Sequence, residues 1–106
     1  MFANSLSNTI SVIATATDTV TGSPITVGGD PYALAVTPDG SKVYVANLVS
    51  GTVSVIATAT DTVTGSPIPV GIYPAGVAVT PDGSKVYVAN SLSNTVSVIA
   101  IRRRIR

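Results

Sequence analysis

Short apolar runs rich in Val, Ile and Thr are cut by turn residues about every ten positions, and no segment carries the 3.6-residue period of an amphipathic helix. That pattern predicts an all-β chain. The run Ala75-Gly76-Val77-Ala78-Val79-Thr80 meets Pro81-Asp82-Gly83 and continues as Lys85-Val86-Tyr87-Val88-Ala89. Proline presets φ at the second turn position and glycine takes the strained place that follows, so the two runs form a hairpin. A third strand, Thr52-Val53-Ser54-Val55-Ile56, follows a polar loop from Asn47 to Gly51. A fourth is expected from about Thr62 to Val70. It holds Pro67 and Pro69, which cannot donate to a ladder, and so belongs at a sheet edge.

These elements recur with a period of 43 residues. Asn4, Asn47 and Asn90 align, and residues 1–43 match residues 44–86 at 31 of 43 positions. A four-stranded unit of this length is the spacing of a β-propeller blade. The first strand of each unit is small and apolar (Ala33-Leu34-Ala35-Val36 and its partner at 75–79), which suits the crowded centre where blades converge. The predicted fold is all-β, a fragment of a β-propeller with about two and a half four-stranded antiparallel blades and no helices. With strands labelled A to D from the centre outwards, residues 1–31 supply B-C-D, 32–70 a complete A-B-C-D blade, and 71–100 A-B-C. Residues 101–106 form a basic tail outside the repeat.

The strings Tyr44-Val45-Ala46-Asn47, Val79-Thr80-Pro81-Asp82-Gly83 and Asn94-Thr95-Val96-Ser97-Val98-Ile99 resemble the YVTN-type β-propeller repeat of microbial surface-layer and other exported proteins. The resemblance covers residues 1–100. It implies a propeller fold and an extracellular or cell-surface setting for the parent protein, and it supplies no catalytic mechanism. The chain departs from the family at Ala14, Ala57 and Ala100, where an aspartate often opens the loop after the third strand. A loop hydrogen bond is expected to be missing there.

Composition narrows the chemistry. The 106 residues include no Cys and no His, and the five acids are all aspartates: Asp18, Asp30, Asp39, Asp61 and Asp82. The usual general base and the commonest metal ligands are therefore missing, and neither a catalytic residue, a metal site nor a cofactor is expected. The net charge of +1 comes from Arg102, Arg103, Arg104 and Arg106; the body sets Lys42 and Lys85 against five aspartates, a net of −3. That body offers no nucleic-acid footprint. Residues 1–20 lack a basic start and an unbroken apolar run, so they resemble neither a signal peptide nor a membrane span. No Asn-x-Ser/Thr sequon occurs.

The tail departs from the repeat, which calls for Thr-Ala-Thr-Asp-Thr after Ala100. Read two bases out of phase, a coding form of Ile101–Arg106 yields that missing pentapeptide, and one added base likewise turns Tyr-Val-Ala-Asn into the opening Met-Phe-Ala-Asn. The expectation is a frameshift-bounded piece of a longer propeller gene, since the strand phase B-C-D, A-B-C-D, A-B-C does not close a ring on itself. The tail is read as a by-product of that shift rather than as an anion-binding element.

Asp39 and Asp82 lie in Pro-Asp-Gly turns and are read as turn caps, since calcium needs six to eight oxygens and no carboxylate cluster appears. Tyr44 and Tyr87 occupy one repeat position in mid-strand and are expected to pack between blades. Tyr32 and Tyr73 lie near the start of a first strand, at one mouth of the channel, and are the candidate binding surface. Loops 48–51 and 71–74 are expected to carry specificity. The expected function is that of a non-catalytic repeat segment of a cell-surface or exported protein, with a structural, adhesive or binding role. Two alternatives stand beside it: a piece of a lactonase-like or quinoprotein-like propeller enzyme whose active site lies in other blades, and a self-assembling repeat peptide. Expected partners are the remaining blades of a parent propeller or other copies of the chain, with a protein or carbohydrate ligand; nucleic acid and membrane insertion are not expected. Blades bare on their end faces should associate or aggregate.

Overall fold

The computed structural model describes residues 1–14 and 19–101, the side chains of residues 2, 14, 20 and 23 excepted. Asp18 and the arginines of the tail lie outside the described residues. The described chain is all-β: β1 (Phe2–Asn4), β2 (Thr9–Ala14), β3 (Thr19–Thr26), β4 (Pro31–Val36), β5 (Lys42–Asn47), β6 (Thr52–Ala57), β7 (Thr62–Val63), β8 (Ile68–Pro69), β9 (Pro74–Val79), β10 (Lys85–Asn90) and β11 (Thr95–Ala100). They form three antiparallel sheets, ordered β1-β2-β3, β4-β5-β6-β7 with β8 also on β6, and β9-β10-β11. Register repeats with the sequence: Val43 pairs Ile56 and Val86 pairs Ile99, while Asn47 pairs Thr52 and Asn90 pairs Thr95.

The three sheets stack face to face, and two apolar seams hold them. Ile10 and Ile25 of the first sheet meet Val43, Val45 and Ile56 of the second, with Met1, Ala3, Val12 and Leu34 against them. Tyr44 and Val53, on the opposite face of the second sheet, meet Val86 and Val88 of the third, flanked by Val77, Val79 and Ile99. Each fully buried Val or Ile contributes roughly 1.5–3 kcal/mol. The middle sheet is thus covered on both faces, which is why β5 is an almost unbroken apolar run. β10 has the same sequence, Lys-Val-Tyr-Val-Ala-Asn, yet buries only alternate residues because one of its faces is open.

Two elements differ from the sequence expectation. The fourth strand of the middle blade is not continuous over 62–70: only Thr62–Val63 and Ile68–Pro69 pair with β6. The gap falls at Gly65, at φ 68, and Pro67, which has no N–H; the matching Gly22 and Pro24 of the first blade lie inside the continuous β3, at a register shift rather than a break. Asn47 does not open a polar loop; it ends β5 and is fully buried. The loop after the third strand, where Ala57 stands in place of an aspartate, is held in another way. Thr58 donates its N–H to Ser41 O at 3.0 Å and its hydroxyl to Gly40 O at 2.6 Å.

The Pro-Asp-Gly turns cap themselves as expected. Asp82 Oδ1 accepts from the Thr80 hydroxyl at 2.7 Å, the Ser84 hydroxyl at 2.8 Å and the Ser84 N–H at 3.1 Å, and Asp39 does the same with Thr37 and Ser41. The hydroxyls of Thr80 and Ser84 and the Ser84 N–H hold the exposed Asp82 carboxyl down at about 2.

Candidate binding rim

One rim of the stack collects the loops between the second and third strands of each blade (5–8, 48–51, 91–94) and the links entering the inner strands (27–30, 70–73). The opposite rim carries the Pro-Asp-Gly turns with Lys42 and Lys85. The fixed point beneath the first rim is an asparagine repeated in every blade. Asn4, Asn47 and Asn90 each donate Nδ2 to a serine hydroxyl seven residues on (Ser11, Ser54, Ser97) at 2.8–2.9 Å and to a threonine hydroxyl five residues on (Thr9, Thr52, Thr95) at 3.2–3.3 Å. The same threonines share a hydrogen with Ser7, Ser50 and Ser93 in the loops.

Glycine at the link is required by this network. A Cβ on Gly28 would stand 2.8 Å from Asn47 Cγ, and one on Gly71 2.6 Å from Asn90 Cγ, with Ser50 and Ser93 equally close. The amide and the backbone therefore lie in direct contact. Main-chain bonds then fasten loop to link: Leu48 N–H donates to Asp30 O (2.8 Å), Val49 N–H to Gly29 O (3.2 Å), Ser91 N–H to Tyr73 O (3.0 Å) and Leu92 N–H to Ile72 O (3.2 Å). Val70 N–H donates to Gly51 O (3.0 Å) and Gly51 lies against Gly71 O, so loops 48–51 and 71–74, separately expected to carry specificity, adjoin on this rim.

On this base apolar side chains stand exposed among the polar ones (Ser7, Asn8, Ser50, Ser91 and Asn94). Leu6, Val49 and Leu92 occupy one repeat position and all three are exposed, as is Ile72 beside Leu92. Tyr32, the second residue of β4, and Tyr73, just before β9, are exposed on the same rim. They are not repeat equivalents: Ala75 stands at the position of Tyr32, and Asp30 at that of Tyr73. Tyr73 also sits at φ 62, a left-handed conformation in which a bulky side chain is an outlier. Among the described residues Asp30 is the one charged side chain of this rim. A shallow depression at its first blade is lined by Ala3, Asn4, Ser5, Leu6 and Ser7.

Tyr44 and Tyr87 are placed differently from each other. Tyr44 is 4 % exposed in the seam between the second and third sheets, where burial pushes its phenol pKa up, whereas Tyr87 is 43 % exposed on the uncovered face of the third. Sequence reasoning missed the row Leu6, Val49, Leu92. Its signal was present: an apolar residue followed by serine at the same loop position in each copy. The hydroxyls of the rim bond to one another and to the asparagines, and among the described residues no three acids gather where a metal could be held. Among the described residues of this rim, no hydroxyl is hydrogen-bonded to a carboxylate.

No protein-family model matches the sequence, and no match is found among the curated proteins. Solved structures do match. The chain is similar to hydrazine synthase of Kuenenia stuttgartiensis, at 35% identity and a TM-score of 0.87 over 92% of this chain and 28% of that one. It is similar to a functionally unknown protein of Desulfotomaculum acetoxidans, at 27% identity and a TM-score of 0.68, over 90% of this chain and 35% of that one. A putative 6-phosphogluconolactonase of Bacteroides fragilis, 19% identical, shares the fold with a TM-score of 0.80 over 92% of this chain and 30% of that one. The fold is that of a partial β-propeller. The chain spans about a third or less of the length of each of these structures.

Proposed function

We propose that the chain is a non-catalytic propeller segment of the YVTN type, part of a cell-surface or exported protein, that binds the apolar surface of a partner protein through the rim described above. The observation that supports this reading is the exposed row Leu6, Val49 and Leu92, one per blade, continued by Ile72, Tyr73 and Tyr32 on loops that hydrogen bonds hold rigid. A preformed apolar surface loses little entropy on binding. These exposed aliphatics take no part in the two seams, and gathered on one rim they offer an apolar surface to a partner. A carbohydrate ligand would instead stack on Tyr32 and Tyr73 alone.

The test compares binding of the chain to cell-envelope proteins and to a glycan panel, using two variants. Leu6→Ser/Val49→Ser/Leu92→Ser should lose at least tenfold in affinity for protein while Lys42→Ala/Lys85→Ala, on the other rim, binds as the parent does. Loss with the lysine variant alone would overturn the choice of rim. Binding confined to glycans and abolished by Tyr32→Ala would replace the protein partner with a sugar.

A second reading has its own support. The likeness to hydrazine synthase covers 28% of that chain, so these blades also suit an enzyme whose reactive groups stand on other blades. Further blades rich in His and Glu in the parent gene would favour it, and near-identical repeats throughout would favour the surface scaffold.

A further inference from the structure

The two Pro-Asp-Gly turns place a reactive pair on the surface, Asp39-Gly40 and Asp82-Gly83. Glycine has no side chain to shield its nitrogen, which can attack the side-chain carbonyl carbon of the aspartate before it. The new C–N bond forms as the carboxyl's hydroxyl leaves with the amide hydrogen as water, and a five-membered imide results. Water re-enters at the main-chain carbonyl and the original peptide C–N bond breaks. The chain then runs through the side chain, as an isoaspartyl linkage of unchanged mass. The reaction needs a protonated carboxyl, because the departing oxygen leaves as water, and a glycine nitrogen free to swing onto it. Both aspartates are exposed, so water reaches them.

The geometry of each turn opposes both requirements. Asp82 Oδ1 accepts the Thr80 hydroxyl, the Ser84 hydroxyl and the Ser84 N–H, and three donated hydrogens favour the carboxylate over the acid. The attacking nitrogen is engaged as well: Gly83 N–H donates to Thr80 O at 2.9 Å, and Gly40 N–H to Thr37 O at 2.8 Å. One threonine therefore holds both reactants, the carboxylate with its hydroxyl and the glycine N–H with its carbonyl. The threonine hydroxyl is itself fixed, since it accepts the N–H of Lys42 or Lys85 at 3.1 Å. Asp39 has the same three donors in Thr37 and Ser41. We propose that Asp39 and Asp82 are sites of aspartate isomerisation which the threonine and serine of each turn keep closed in the folded chain. Isoaspartate then forms only where a turn loses those donors or its blade unfolds. The closure is local to each turn, so one can be opened while the other serves as a reference in the same molecule.

The experiment incubates the full chain at about pH 5, where an ordinary aspartate is still partly protonated, and locates isoaspartate by peptide mapping. The parent is compared with Thr80→Val, Thr80→Ser and the parent unfolded in urea. Urea should let isoaspartate accumulate at both turns. In the folded chain Thr80→Val should raise its rate of formation at position 82 by at least about tenfold, as the carboxyl's pKa returns towards 3.8. Position 39 should be unchanged, and Thr80→Ser, which keeps the hydroxyl, should stay close to the parent. Formation at position 82 in the folded parent as fast as in urea would overturn the proposal, as would a Thr80→Val rate equal to the parent's. Should Thr80→Val unfold, which a rise at position 39 would reveal, Ser84→Ala decides in its place. It removes one donor and keeps the threonine, so a rise at position 82 alone supports the closure and an unchanged rate contradicts it.

Discussion

At the scale of the residue, the blade is organised round a buried amide. Asn47 and Asn90 hold their serine and threonine partners with Nδ2, while Oδ1 of each is buried and meets no donor among the described residues. The 43-residue spacing of these asparagines was visible in the sequence, but their burial was not: asparagine before Leu-Val-Ser-Gly resembles a loop opening, and only the stacked link at Gly28 or Gly71 encloses it. Asn90→Ala should lower stability by about 1–3 kcal/mol in chemical denaturation, since Thr95 and Ser97 lose their donor. Gly71→Ala should cost a similar amount, about 1–3 kcal/mol, because its Cβ would press on Asn90 and Ser93. Tyr73 carries strain that an asparagine there would relieve. Tyr73→Asn should raise stability by about 1 kcal/mol and weaken partner binding. Asp82, whose pKa is lowered to about 2 from an ordinary 3.8, stabilises the folded chain above pH 4 and loses that contribution as pH falls towards 2. Acid titration of Asp82→Asn should show a shallower loss of stability over that window.

At the scale of the element, β5 and β10 make the plainest comparison. One hexapeptide, two burial patterns: the difference comes from what lies on the far side of the sheet and not from the strand itself. Tyr44→Ala should cost about 3–5 kcal/mol, as loss of a buried aromatic does, whereas Tyr87→Ala should leave the stability of the single chain within about 0.5 kcal/mol. Denaturation of both variants in dilute solution separates these outcomes. The hairpin turns and the inner strands were legible because Pro-Asp-Gly and small apolar runs have few alternative conformations. The broken outer strand was not, since proline marks an edge without saying where pairing stops. The rim was half legible: Tyr32 and Tyr73 stood out as aromatics, but the hydrogen bonds that place loop 48–51 beside link 27–30 join residues some twenty positions apart.

At the scale of the whole molecule, the repeat period and strand order were enough to infer the partial β-propeller, and the likeness to solved structures bears this out. The same three-sheet stack accounts for the seams, the rim and the uncovered face, because each follows from one blade being laid on the next in register. The chain has no cysteine, so a single thiol can report on that stacking. Ala46→Cys and Ala89→Cys place it at the same point of the shared hexapeptide, buried in the middle sheet and exposed in the third. The most direct measurement is the rate at which a small thiol reagent modifies each variant in dilute solution. The stack predicts fast modification at position 89 and protection of at least a hundredfold at position 46; equal rates at the two positions would contradict it.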